Sequence, residues 1–242
     1  MTGKDHDSQR PRVVVVDDSS QTRQTFQQAF PGLEVVGTYD SVDALLLASP
    51  GVDLVVLDLQ LSSSFTEPTL QGPRAIQELS DRSYRVCIYS DELRLLVLAK
   101  CFSAGAHGLA RKVDSIEANQ ATFLKVAAGQ IVVPPSMVGL VELLSRRKSL
   151  PDLTTRQVEV LTARARGEAW DAIGRRLGIS AKTAQRHFDA VVIQMTLFLR
   201  ETRLDPEANP ADIERVLGLA PGDLDDPRAR WQVGSGFTRA AG

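Results

Sequence analysis

The sequence predicts an α/β domain, a doubly wound five-stranded parallel sheet, followed by an all-α helix-turn-helix domain. Three observations carry this prediction. Short β-branched apolar runs alternate with segments of helical length from Arg12 onward, the alternation stops near Pro134 and Pro135, and beyond that point the pattern is helical alone. A chain of 242 residues is long enough for two such domains.

The runs 13–16, 33–36, 54–57 and 85–89 have the length and composition of buried parallel strands. A weaker fifth strand is expected at 107–110, after the turn residues Gly105 and Ala106. Helices are expected over 20–30, 41–48, 73–80, 92–104 and 115–128, with Ser41 as an N-cap. The stretch 131–149 holds the two prolines, a short apolar helix at 137–144 and the basic run Arg146, Arg147 and Lys148, and it reads as a linker. Helices follow over 155–165, 170–177 and 181–203, with Gly178, Ile179 and Ser180 turning between the last two. The boundaries so drawn are 11–130, 131–149 and 150–203. An extension at 204–242, rich in Pro, Asp and Gly, has no assigned role, and one more short helix is expected within it at 211–219.

With 43% hydrophobic and 24% charged residues, the composition excludes a disordered chain, a collagen-like repeat and a disulfide scaffold. Cys87 and Cys101 lie in apolar runs, as expected of two reduced, buried thiols in a cytoplasmic protein rather than a redox pair or metal site. No apolar run approaches the ~20 residues of a membrane helix, and the polar first ten residues have no leader-like core, so no membrane association is expected. The net charge of -2 conceals a division: 1–144 carries -5, 145–200 carries +6 and 201–242 carries -3. The basic block between acidic ends points to a polyanionic partner for that block.

Asp17 and Asp18 follow the first expected strand and Asp58 the third, so a parallel sheet brings three carboxylates together at its carboxyl ends. Such charges repel unless a hard divalent cation such as Mg²⁺ neutralises them. Ser90 after the fourth strand and Lys112 after the fifth add a hydroxyl and an ammonium to the same crevice. A metal, a hydroxyl donor and a fixed cation around one carboxylate suit attack of that carboxylate on a phosphoryl donor, a reaction governed by positioning and charge neutralisation.

Through Val16-Asp17-Asp18, Leu57-Asp58, Tyr89-Ser90 and the segment from Gly105 to Lys112, residues 11–130 resemble the receiver domains of two-component response regulators. The resemblance implies that Asp58 is the phosphoacceptor and that Asp17, Asp18, Asp58 and the Gln60 carbonyl bind Mg²⁺. It also implies that Ser90 reads the phosphoryl group and Lys112 pairs with it, the donor being a sensor histidine kinase or a small phosphodonor. Two departures stand out. Leu61 and Ser62 replace the family's usual Met-Pro pair, and the loop on to Gly72 is longer than the family's, its polar 62–68 stretch fitting either a lid or a tolerated insertion. Leu109 stands where the family usually has an inward-turning Tyr or Phe. His107 reads as a surface loop residue without a role.

In the helical part, Leu153 to Leu161, then Gly167, Ile173, Leu177, Gly178, Ile179, Ser180, Thr183 and His187 resemble the LuxR-type helix-turn-helix of NarL/FixJ response regulators. Ile173 and Leu177 face a core, Gly178 makes the turn, and Ser180 caps a helix whose first turn can enter a major groove. The expected DNA contacts are Arg175, Lys182, Thr183, Arg186 and His187. Gln185 and Gln194 stand where the family commonly has Lys, and Arg175, Arg176, Arg186 and the 146–148 cluster are the cations that could compensate. Trp170 reads either as core packing or as a protein-binding surface. Phe188, Val191, Val192, Met195, Phe198 and Leu199 form an apolar stripe that in the family lies in a dimer interface and alternatively packs within the domain.

The expectation is a dimeric DNA-binding transcription regulator, not an enzyme, controlled by phosphorylation of Asp58. The rival readings are an atypical receiver acting independently of phosphorylation and an adaptor that binds a protein instead of DNA. A phosphatase is disfavoured, because Gln60 occupies the position two after Asp58 where such enzymes commonly need a second carboxylate.

Overall fold

The computed structural model describes residues 10–61, 70–150 and 153–224; the loop stretch 62–68 and the aromatic residues Trp231 and Phe237 lie outside the described residues. The chain divides into two compact units. One comprises Met1–Glu92 and Lys100–Val133, the other Leu93–Ala99 and Pro134–Gly242.

The sheet-based part runs β1 (Arg12–Val16), α1 (Ser20–Ala29), β2 (Glu34–Tyr39), α2 (Val42–Ala48), β3 (Leu54–Leu57), α3 (Gly72–Asp81), β4 (Val86–Tyr89), α4 (Leu95–Ser103), β5 (Gly108–Ala110) and α5 (Ile116–Ala127). The strand order is β2-β1-β3-β4-β5 and every pairing is parallel. Strand order therefore reverses at β1, and a crevice forms where the carboxyl ends of β1 and β3 part company with their helices. Valine runs make these strands, since a β-branched side chain suits a pleated surface covered on both faces. Val13 to Val16 of β1 and all of β3 are at most 1% exposed. Ser19, Ser41 and Ser115 cap α1, α2 and α5 by accepting the N–H groups of Thr22, Ala44 and Ala118.

Two local differences from the sequence expectation have clear causes. Helix α4 begins at Leu95 rather than at 92, because the preceding residues are tied into the loop: Asp91 Oδ1 accepts the Val113 N–H at 3.0 Å, and Ser90 Oγ accepts the Glu92 N–H at 3.4 Å. His107 is half-buried, not a surface loop residue. Its N–H donates to the Val86 carbonyl and its carbonyl accepts the Val132 N–H, so the chain after α5 runs beside β5 and covers that sheet edge.

The helical part contains α6 (Pro135–Arg146), α7 (Thr155–Ala165), α8 (Trp170–Leu177), α9 (Ala181–Thr202) and α10 (Pro210–Val216). The expected linker at 131–149 is thus mostly α6. Pro135 sits in the first turn, where its missing N–H costs nothing, and Met137, Leu140, Val141 and Leu144 are fully buried on one helical face. The extension is also folded as far as it is described. Leu204, Ile213, Leu217, Leu219 and Leu224 are buried, and the Glu214 carboxylate accepts the N–H groups of Gly222 and Leu224 at 3.0 and 2.9 Å. Arg147 pairs with Asp223 at 3.0 Å, which ties the end of α6 to the extension. Among the described residues no helix is long and apolar enough to cross a membrane.

Helices α7 to α9 form the expected helix-turn-helix. Thr154 and Gln157 make a capping box at the start of α7. Val160, Ala163, Ile173 and Ala184 form the small core, with Trp170, Leu177, Ile179 and Phe188 packed against it. Trp170 meets Phe188 edge-on at 5.5 Å and lies under the Arg164 guanidinium at 4.4 Å, so it is a packing residue. The stripe on α9 turns inward: Val191, Val192, Met195 and Leu199 are buried and Phe188 and Phe198 half-buried, while Ile193 and Leu197, which are not part of it, are about half exposed. Gly178 adopts the left-handed conformation after α8, with φ +66°. Gly174 has a different constraint, since a Cβ there would lie 2.8 Å from the Ile179 carbonyl oxygen and 3.1 Å from the Ala181 nitrogen.

Gly to Ala inside a helix ordinarily gains about 1 kcal/mol. Gly174→Ala is expected to do the opposite, costing about 1 to 3 kcal/mol because α8 would be forced away from the turn. Thermal unfolding of the full chain checks the sign.

Candidate functional site

The register of the sheet builds the site. Val16 pairs with Leu57 and Leu57 with Ile88, while Tyr89 pairs with Ala110, so residues 17, 58, 90 and 112 all leave neighbouring strands at the same end. The carboxylate oxygens of Asp17, Asp18 and Asp58 lie within 4.8 Å of one another. Asp17 and Asp58 are only 1% and 6% exposed, so the cluster is held mostly out of water.

One ammonium makes this arrangement possible. Lys112 Nζ lies 2.7 Å from Asp58 Oδ2 and 3.1 Å from Asp17 Oδ2, bridging strands β1, β3 and β5 through their following residues. The remaining oxygens of the two buried acids take backbone donors: Ser19 N–H to Asp17 Oδ1 at 2.9 Å and Gln60 N–H to Asp58 Oδ1 at 3.2 Å. Burial is the largest influence on Asp58 and raises its pKa above the ordinary 3.8, with the Lys112 hydrogen bond pulling the other way. Burial pulls the Lys112 ammonium down, but the hydrogen bonds and charges of Asp58 and Asp17 outweigh it and raise the pKa. Three carboxylates against one ammonium leave a surplus of negative charge on hard oxygen donors, a donor set that suits a divalent cation of the Mg²⁺ type.

The sequence-expected residues Asp17, Asp18, Asp58 and Lys112 are therefore brought together, and Gln60 joins them through its N–H. Ser90 is buried after β4, its hydroxyl accepting the Glu92 N–H. Leu109 is buried within β5 and supplies no aromatic ring. Two neighbours of the site were missed by sequence reasoning. Tyr89 places its ring 5.6 Å from Lys112 Nζ and packs edge-on against Phe26, Phe30 and Phe123, so an aromatic from β4 flanks the lysine. Burial raises the Tyr89 pKa, which keeps the phenol protonated. Arg23 of α1 donates from one nitrogen, Nη1, to the Asp17 carbonyl at 2.6 Å and the Asp18 carbonyl at 2.9 Å. Its signal in the sequence was an arginine one helical turn past the cap Ser19, directly after the acidic pair.

On the helical unit the expected polyanion-facing residues separate into two groups. Arg175, Lys182 and Arg186 are exposed and, among the described residues, have no ion-pair partner. Thr183 is engaged in the cap of α9, its N–H and hydroxyl both on Ser180 Oγ at 3.0 and 2.8 Å, and His187 is half-buried. Of the six expected compensating cations three are paired: Arg176 with Glu168 through two hydrogen bonds at 3.2 and 3.0 Å, Arg146 with Glu142 at 2.6 Å, and Arg147 with Asp223. Arg175, Gly178, Ile179, Ser180 and Ala181 line a shallow groove at the turn.

No family model matches the chain. Among curated proteins it is similar to the glycerol metabolism activator of Pseudomonas putida, 24% identical over 207 residues, which cover 78% of this chain and 91% of that protein. It is also similar to the transcriptional regulatory protein UhpA of Escherichia coli K12, 27% identical over 180 residues, covering 72% of this chain and 86% of that one. The solved structure of the RcsB response regulator of Salmonella typhimurium overlays with a TM-score of 0.48 and 17% identity, covering 79% of this chain and 97% of that one. The similarity to these two proteins, an activator and a transcriptional regulatory protein, covers more than two thirds of the chain and so extends into both units.

The raised pKa of Asp58 has a sign. A folded-state value above the unfolded one means that ionising the group opposes folding. The neutral form's contribution is fully present below about pH 3.8 and is lost as pH rises through the folded pKa. In metal-free buffer Asp58→Asn is expected to raise the thermal unfolding midpoint at neutral pH and to leave it unchanged below pH 3.8. Lys112→Met removes the group that opposes burial, so the Asp58 carboxyl should titrate at higher pH still, as followed by carbon NMR of labelled aspartate.

Proposed function

We propose that the chain is a two-component response regulator of the NarL/FixJ type, a DNA-binding transcription regulator controlled by phosphorylation of Asp58. The observation that carries this reading is the Lys112 bridge between Asp58 and Asp17 inside a ring of three carboxylates. Burial alone would favour the protonated, unreactive acid. Lys112 favours the carboxylate, the form that attacks phosphorus.

In the transfer, an Asp58 oxygen forms the new bond to phosphorus while the bond from phosphorus to the donor breaks, its electron pair leaving with acetate or with a kinase histidine. Asp17, Asp18, Asp58 and the Gln60 carbonyl are the residues that would hold Mg²⁺. When bound, that ion supplies charge neutralisation at the phosphoryl oxygens. Lys112 pairs with one phosphoryl oxygen, and the Ser90 hydroxyl donates to another once it swings from its place beside the Glu92 N–H. Each chain accepts one phosphoryl group, so the reading is of a switch and not of a turnover enzyme.

For the helical unit the reading places the first turn of α9 in a major groove, with Arg175, Lys182 and Arg186 on phosphates and Thr183 and His187 near the same surface. The exposed Ile193 and Leu197 on α9 supply an apolar strip for a two-fold pairing of copies on DNA. A second reading, an adaptor that binds a protein, is favoured by the ion pairing of Arg176, Arg146 and Arg147, which engages three of the block's cations with acids instead of a phosphate backbone.

Incubation with acetyl phosphate and Mg²⁺ followed by intact mass is expected to add one phosphoryl group to the wild type and none to Asp58→Ala. Lys182→Ala and Arg186→Ala are each expected to weaken binding to a promoter fragment uniformly across sequences and to reduce the salt slope by about 0.9. A mobility-shift assay that gives no retarded band at low salt, with phosphorylation intact, selects the adaptor.

A further inference from the structure

We infer that Arg23 is the positioning residue of the acidic centre, holding the Asp17–Asp18 pair in the conformation that binds a divalent cation. The inference rests on the reading of that centre as a cation site. Adjacent residues leaving a strand direct their side chains to opposite faces, and their carbonyls likewise alternate. For Asp17 and Asp18 to offer oxygens to one ion, this alternation has to be undone just after Val16. A single donor atom, Arg23 Nη1, reaches both consecutive carbonyls, at 2.6 and 2.9 Å, which requires that the two carbonyls converge. The Asp17 and Asp18 carboxylates meanwhile stay within 4.8 Å of each other and of Asp58. Arg23 is itself anchored, since its N–H donates to the Ser19 carbonyl and the Ser19 N–H returns to Asp17 Oδ1. The result is a closed loop of hydrogen bonds running Asp17, Ser19, Arg23 and back to Asp17.

Two effects of Arg23 on a cation have opposite sign, and this makes the assignment testable. As a nearby positive charge it repels a metal ion; as a clamp on the two carbonyls it organises the ligands. Groups that orient metal ligands typically change affinity by about 10- to 100-fold when removed, and here the orienting effect is assigned as the larger.

The test titrates the full chain with Mn²⁺, counting free ion by its electron paramagnetic resonance signal, for wild type, Arg23→Lys, Arg23→Gln and Arg23→Met. Thermal unfolding without metal is measured in parallel. Arg23→Met is expected to bind at least about tenfold more weakly at a retained unfolding midpoint. Arg23→Lys keeps one nitrogen for both carbonyls and is expected to restore most of the loss. Arg23→Gln keeps a donor without the charge and carries the comparison if the methionine variant does not fold. Unchanged or tighter binding in both neutral variants would show that Arg23 acts only as a charge, and the inference fails while the cation site stands. If the wild type binds no Mn²⁺, the inference and the reading of the acidic centre fall together.

Discussion

Everything at the carboxyl end of the sheet depends on the Lys112 ammonium lying between Asp58 and Asp17. The doubly wound topology delivers acidic residues from β1 and β3 to one point, and burial there makes their charges costly. An ammonium from the far side of β4 is what lets them remain close together. Lys112 follows a β5 of only three residues, whose open edge the chain at Val132 covers.

The fold was legible where periodicity is strong. The valine runs of β1 and β3 and the helical spacing at 155–165 and 170–177 appear in the structure at the residues expected, give or take one. The site's carboxylates and lysine were legible because each follows a strand and parallel strands end together. Tyr89 and Arg23 were not. Each acts through a contact that closes only in three dimensions, Tyr89 by reaching from β4 to Lys112, two residues beyond β5, Arg23 by folding back from α1 onto backbone carbonyls that carry no sequence label. Leu109 drew attention to a missing aromatic, and the ring that flanks Lys112 comes from the neighbouring strand, from Tyr89, which was read as the end of a β run and the neighbour of Ser90 without a role of its own.

The helical unit shows the limits of counting charges. The basic block from 145 to 200 holds a surplus of cations in the sequence, yet Arg146, Arg147 and Arg176 are each turned to an acid of the same unit. Pairs of this kind contribute little to stability at an exposed surface, but they partner three of the block's cations with acids of the same unit, while Arg175, Lys182 and Arg186 around the turn into α9 are exposed. The apolar stripe on α9 was similarly ambiguous until burial placed it, with Val191, Val192, Met195 and Leu199 buried and Phe188 and Phe198 half-buried, while the exposed Ile193 and Leu197 lie outside the stripe that the spacing marked.

The described part of the extension changes what counts as the smallest portable piece of this protein. A helix-turn-helix cut at 150 and 203 would leave behind α6, whose Arg147 holds Asp223, and the segment in which Gly218 lies against Ser149 and Glu214 gathers the chain around itself. The residues on either side of the helix-turn-helix have become each other's support. The piece around the helix-turn-helix therefore extends from Pro134 at least to Leu224, within a unit that also takes in Leu93–Ala99, and an exchange of domains with a shorter relative would have to move that stretch as one inheritance.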